Sequence, residues 1–171
     1  MTKTTIRRAR ACDAPLLAAL GAKTFADAFG HLYPAEDLAA FIASTHTEEK
    51  IAGELADPAM AHWLAEREGE AVGYAVAGPC GLPHPEVTAA CGELKRIYVS
   101  RTGQGEGLGT RLLAQALAWL ERDSPRRLWI GVFSQNVGAQ RLYERHGFRK
   151  VGDYVFVVGA TRDPEFILSR G

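Results

Sequence analysis

The chain has 171 residues, 47% hydrophobic and 23% charged, and its 20 Lys+Arg against 20 Asp+Glu give a formal net charge of zero. That length suits one domain, residues 1–171, burying about 70% of its unfolded surface, and the balanced charge leaves no field to draw the protein to nucleic acid or an anionic membrane. No apolar run nears the roughly 20 residues of a bilayer span, Met1–Arg10 lacks a signal-peptide core, and Cys12, Cys80 and Cys91 are odd in number and scattered, so a cytoplasmic protein with reduced cysteines is expected.

Thr4–Arg10 reads as a short strand. Asp13 is placed to cap a helix with Pro15 in its first turn, and Leu16, Leu17, Leu20, Thr24, Ala28 and Phe29 recur near helical spacing until Gly30. Pro34 restarts the chain, Glu36–Ser44 forms a second helix, and Thr47 caps a third, Glu48–Ala56, which Asp57-Pro58 ends. His62–Arg67 and Ala71–Ala77 are strands joined by a turn at Gly69-Glu70. Residues 78–92 carry three prolines and three glycines without periodicity, the signature of a mobile loop. No Cys/His spacing suits zinc, so no metal is expected, and His46 and His62 read as surface or loop residues.

Glu93–Val99 is the next strand; strict alternation places Glu93, Lys95, Ile97 and Val99 on one face and Leu94, Arg96 and Tyr98 on the other. After a loop at 101–106, a helix from Gly107 buries Leu108, Leu112, Leu113, Ala116, Leu117 and Leu120 and exposes Arg111, Gln115 and Arg122. Leu128–Phe133 is a strand, Asn136–His146 a helix closed by Gly147, and Gly152–Val158 and Pro164–Leu168 a final strand pair. Helices following central strands indicate an α/β layered domain.

The stretch Gln104-Gly105-Glu106-Gly107-Leu108-Gly109-Thr110 lies between strand and helix. Glycines let backbone approach an anion, and the free N–H groups of a helix start point at it. A P-loop requires a lysine where Thr110 and Arg111 stand. A dinucleotide fingerprint requires G-x-G-x-x-G, which Gly105, Gly107 and Gly109 do not space. The remaining phosphate pattern is Gln/Arg-x-x-Gly-x-Gly/Ala, the pyrophosphate loop of acetyl-CoA-dependent N-acetyltransferases, matched by Gln104, Gly107 and Gly109; a turn that binds nothing is the other reading.

Downstream stands Asn136-x-x-Ala139-x-x-x-Tyr143-x-x-x-Gly147-Phe148. With these two motifs in this order, the chain resembles the GNAT superfamily of N-acetyltransferases over most of its length. The resemblance implies an α/β (α+β) GNAT fold: a mixed, mostly antiparallel sheet of six to seven strands, splayed at its centre, with helices on both faces. It also implies acetyl-CoA as co-substrate, its pyrophosphate held by backbone from Gln104, Gly105, Glu106, Gly107, Leu108, Gly109 and Thr110. The pantetheine arm would run along Ile97, Tyr98 and Val99 like an added strand, with a backbone N–H near Val99 facing the acetyl carbonyl. Asn136 and Ala139 would line that arm, Asn136 either bonding it or capping its helix. Tyr143 is the implied general acid for the departing thiolate, and Glu93, six residues before Val99, the implied base, unless ordered water takes the proton. Arg145 and Arg149 read as solvated.

The expected reaction is direct attack by a primary amine in a ternary complex; an acetyl-CoA-binding sensor without catalysis is the alternative. Residues 24–46 and 78–92 are expected to select the acceptor. Thr24–Phe29, Glu36-Asp37-Leu38, Thr47–Lys50 and the tail from Val157 to Ile167 resemble bacterial polyamine (spermidine/spermine) N-acetyltransferases, and Asp27, Glu36, Asp37, Glu48 and Glu49 would suit a cation. A protein amine or an antibiotic amine remains open. Homodimers are common in the superfamily, and nothing in the sequence decides the oligomeric state.

Overall fold

Strand pairing sets the positions of all the helices. The computed structural model describes residues 3–171; Met1 and Thr2, part of the N-terminal stretch read above, lie outside the described residues. In chain order the elements are β1 (Thr5–Arg8), α1 (Ala14–Phe29), α2 (Ala35–Thr45), α3 (Glu48–Ala56), β2 (Ala61–Arg67), β3 (Glu70–Pro79), β4 (Gly92–Val99), α4 (Leu108–Leu120), β5 (Leu128–Phe133), α5 (Val137–Arg145), β6 (Arg149–Val158) and β7 (Thr161–Arg170). They form one seven-stranded sheet in the order β1-β2-β3-β4-β5-β7-β6. Only β4 and β5 run parallel, joined by α4 as a crossover helix.

Helices cover both faces. The six expected apolar positions of α4 are all buried, packed with Trp63, Ala75, Leu94, Ile130 and Tyr143 in one core. Each buried leucine there contributes about 1.5–3 kcal/mol over an exposed one. On the opposite face, Leu17 and Leu20 of α1 and Ile51 of α3 pack on Leu64, Tyr74 and Val76. Alternation along β2 thus feeds two cores, one on each side of the sheet.

Six local expectations are corrected. Asp13 does not cap α1: its carboxylate takes two hydrogen bonds from Arg7, at 2.8 and 2.9 Å, and one from the Arg10 N–H at 2.7 Å. The β2–β3 turn is centred on Glu68 and Gly69, both at positive φ (53° and 82°), which suits the right-handed twist of the strands it joins. His62 is 2% exposed because β2 places it beneath α3, where its Nε2 meets Glu54 Oε2 at 3.1 Å. His46 is half-buried against Phe25 and Phe41. Residues 78–92 are anchored: Leu82 and Val87 pack on Trp129, Cys91 and Ile167.

The sixth correction is a β-bulge. Val76 pairs with Arg96 but Ala77 pairs with Leu94, leaving Lys95 unpaired. The extra residue resets the alternation. Leu94, Ile97 and Val99 consequently join the α4-side core, whereas Tyr98 joins the α1-side core. Glu93, adjacent to Leu94, faces the α1 side with Tyr98 and not the side of Ile97 and Val99.

Candidate active site

β4 and β5 pair only through Gly92–Leu128, Glu93–Trp129 and Leu94–Ile130. Beyond those three pairs the strands diverge, and the gap between Lys95–Val99 and Gly131–Phe133 opens a cleft of about 1160 Å³ through the middle of the sheet. Backbone groups on this inner edge are available. Ser100 N–H donates to Val72 C=O at 2.9 Å, flanking the Gly73–Val99 pair. Val99 is therefore in a non-hydrogen-bonded pair, and its own N–H and C=O point away from β3 into the gap. The same alternation turns Ile97 toward the gap and Tyr98 toward β3. Tyr98 reaches the cleft through its ring, not through its backbone.

The glycine-rich loop closes one end. Gly105 (φ 89°) and Gly107 (φ 66°) occupy the left-handed region, where a side chain costs about 1–2 kcal/mol. A Cβ at either position would meet no atom within 4 Å, so the space above both is open. Gly107 precedes α4, whose first bond runs from Arg111 N–H to Gly107 C=O at 3.1 Å. The Leu108, Gly109 and Thr110 N–H groups thus have no acceptor within the helix. Leu108 offers only its backbone, because its side chain is in the core. Glu106 likewise turns its carboxylate away, to Thr4 at 3.2 Å and Arg67 at 2.7 Å. Gln104 Nε2 reaches back to Val99 C=O at 3.5 Å. The open cradle, the inward N–H groups and the positive helix end fit a diphosphate.

α5 forms the other bank. Asn136 caps it, its side-chain oxygen accepting from Ala139 N–H at 3.1 Å, so the carbonyl end of that amide is committed to the helix. Asn136, Ala139 and Tyr143 all line the cleft. Tyr143 is 5% exposed, and burial raises its phenol well above the ordinary value, which keeps it protonated. Arg145 borders the cleft and Arg149 does not.

Glu93, 8% exposed, lines the cleft from the α1 side. Its Oε2 accepts from Gly81 N–H at 2.9 Å and from Lys95 Nζ at 3.1 Å. The bulge that frees Lys95 from the ladder thereby supplies a cation for Glu93.

Around Tyr98 an arm of the cleft is walled by aromatic rings. Phe25 stacks on Tyr33 with ring centroids 6.1 Å apart, and Phe29 stands edge-on to Tyr98 at 6.2 Å and to Phe133 at 6.0 Å. Of the segment 24–46, Phe25, Phe29, Tyr33, Phe41 and His46 are among the residues that line the cleft. Asp27, Glu36, Asp37, Glu48 and Glu49 do not, and neither does any residue of 78–92, whereas Lys50 does. Besides Glu93, the acids lining the cleft are Asp163 and Glu165 of β7; Asp163 lies in the tail read above, but neither was among the acids expected to suit a cation. The alternation of Asp163 and Glu165 was the available signal. Among the described residues no cluster of His, Cys, Asp and Glu is arranged to hold a metal ion, and no helix is long and apolar enough to cross a membrane.

Comparison with known proteins gives this geometry its context. The Acetyltransferase (GNAT) family profile matches residues 23–148. An N-acetyltransferase of Lactobacillus delbrueckii subsp. lactis is 32% identical over 170 residues, covering 99% of this chain and 98% of the relative. The spermine/spermidine N(1)-acetyltransferase of Bacillus subtilis (strain 168) is 33% identical over 92 residues, 52% of this chain and 59% of that protein. Among solved structures, the PaiA N-acetyltransferase of Thermoplasma acidophilum in complex with coenzyme A superimposes with a TM-score of 0.78 at 17% identity, covering 98% of each chain.

Proposed function

The chain belongs to the Acetyltransferase (GNAT) family and is an acetyl-CoA-dependent N-acetyltransferase, and on that premise we propose that it acetylates a small primary amine, a polyamine being the acceptor class, by direct attack in a ternary complex. The gap between β4 and β5, ending at a glycine cradle, is the observation that carries the reading. The diphosphate of acetyl-CoA lies on the Gly105–Thr110 backbone, and the pantetheine arm takes up the inward groups of Ile97 and Val99 along the gap.

Amine and thioester then meet near Val99 and Tyr143. An alkyl ammonium has a pKa near ~10 and must lose a proton before its nitrogen can attack the acetyl carbon. Glu93, on the α1 side, accepts that proton directly or through water. As the C–N bond forms, the carbonyl oxygen becomes an oxyanion and the Val99 N–H donates to it. The C–S bond breaks, and Tyr143 donates its phenol proton to the leaving thiolate. Burial of Tyr143 keeps that proton in place until negative charge develops on sulfur.

The polyamine assignment draws on the similarity to the Bacillus subtilis enzyme over half of the chain and on the acids and aromatic rings of the arm. Mixing the protein with acetyl-CoA and a panel of amines, with detection of free thiol, tests the function. Amine-dependent thiol release is expected; binding of acetyl-CoA with no release under any amine would make the protein a sensor.

A further inference from the structure

Glu93 is matched by Lys95 at 3.1 Å, and Arg96 is matched by Glu54 at 2.5 Å. Lys50 and Arg145 also line the cleft, but the two acids of β7, Asp163 and Glu165, have no cation of the protein within ion-pair distance among the described residues. Each accepts one phenolic hydrogen bond, Asp163 from Tyr33 and Glu165 from Tyr154, and each keeps its second oxygen without a protein donor. Asp163 is 7% exposed, and Glu165 is half-buried. Two positions apart on β7, they point to the same side of the strand. Burial, together with the neighbouring charge of Asp163, raises the Glu165 carboxyl above its ordinary range. Two adjacent, partly dehydrated carboxylates without a cation are costly. A cation bound between them would relieve that cost, and the surrounding ring faces attract one further.

The attacking nitrogen does not supply that cation, because it must be neutral when it attacks. We propose that Asp163 and Glu165, with the aromatic wall, form a subsite for a second, non-reacting ammonium of the acceptor, so that the protein selects diamine and polyamine chains over monoamines. This rests on the acetyl-transfer reading and deepens it by naming the residues that choose the substrate.

Three acceptors of equal length test it by thiol release: 1,8-diaminooctane, n-octylamine and 8-aminooctanoate. The diamine is expected to exceed the monoamine at least about tenfold in kcat/KM, since hydrogen bonds to charged groups are the strong ones, and the aminocarboxylate is expected to be poorest. Glu165→Gln, which keeps an acceptor for Tyr154, is expected to raise KM for the diamine about tenfold or more while leaving kcat and the monoamine within about threefold. Asp163→Asn is expected to do the same. A wild-type protein that uses the monoamine or the aminocarboxylate as well as the diamine overturns the proposal, and this comparison needs no variant to fold. A Glu165→Gln protein with kcat lowered equally for all three also overturns it, placing Glu165 in proton removal. If acetyl-CoA binds in calorimetry yet no amine releases thiol, the transferase reading fails first and the subsite falls with it.

Discussion

Replacing Gly107 with valine separates the two functions of this glycine, one conformational and one in binding. The residue sits at φ 66° and ψ 20° immediately before α4, so any Cβ costs about 1–2 kcal/mol of backbone strain. No atom lies within 4 Å of the added Cβ, so no clash adds to that strain. For a domain of this size, the melting temperature should fall by about 2–4 °C per kcal/mol, or at most roughly 8 °C, leaving the protein folded at 25 °C. The ligand suffers more. The isopropyl group occupies the space above the cradle and displaces the diphosphate from one or two backbone N–H donors, each worth about 1.5–3 kcal/mol to a charged acceptor. Since 1.4 kcal/mol is a factor of ten, the Kd for acetyl-CoA should rise at least tenfold in isothermal titration calorimetry, with Gly107→Ala intermediate. A valine variant that shows the lowered melting temperature but an unchanged Kd would refute the placement of the diphosphate and leave Gly107 as a turn residue only.

Tyr143→Phe should lower kcat at least about tenfold with little change in KM for acetyl-CoA; steady-state kinetics at saturating amine decide it, and full turnover removes Tyr143 from the mechanism. Glu93→Gln should abolish the acidic limb of the pH–rate profile, and a profile that keeps that limb assigns the base to water or to another group. Stability should also depend on pH through His46. Burial, followed by Arg96 and Lys50, lowers its pKa from 6.5 to about 4, against the opposing charge of Glu54. The unfolded chain then binds a proton before the folded one does, so stability should fall as pH drops from about 6.5 toward 4. Asp13 is held at about 2 by its Arg7 hydrogen bonds. Burial pushes Glu54 up, but His62 and Arg96 outweigh it and hold it at about 2. These two acids therefore act only at lower pH. Denaturant melts of wild type and His46→Gln at pH 7 and pH 5 should show the variant losing less; equal losses would place the sensitivity elsewhere.

The glycine cradle and the helix facing it were legible because their information is local. A glycine at positive φ, a helix start and the Asn136–Phe148 motif that caps, fills and closes α5 are each short continuous stretches, and Gly107 precedes α4 and Asn136 caps α5 as their spacing implied. The aromatic-walled part of the cleft, the proposed acceptor side, depends on contacts between distant segments. Asp163 and Glu165 lie on a strand whose composition resembles any half-exposed strand, and only the pairing of β7 with β5 places them opposite Phe29 and Tyr98. The bulge at Lys95 is equally non-local: β4 alone reads as a regular alternation, and the extra residue appears only against the register of β3. His62 misled for the same reason, since a histidine in a strand is polar until Glu54 of α3 is folded over it. The surface acids of α1–α3 drew attention by their number, yet Asp27 merely faces Lys23 at 3.5 Å.

On the proposed binding mode, the three-pair seam between β4 and β5 would make acetyl-CoA a structural member as well as a reactant. Without it, the sheet carries an internal edge whose backbone groups on Ile97 and Val99 must be hydrated, and the two wings are tied by few main-chain bonds. A molecule that lies in the seam supplies the missing rungs. At a concentration one hundred times its Kd it would add about 2.7 kcal/mol to the folded state, and that gain should fall at the seam. Resistance to proteolysis, which follows the population of opened forms, would then rise and fall with the supply of the acetyl donor, so the amount of enzyme and the amount of its reagent would be coupled through the fold itself.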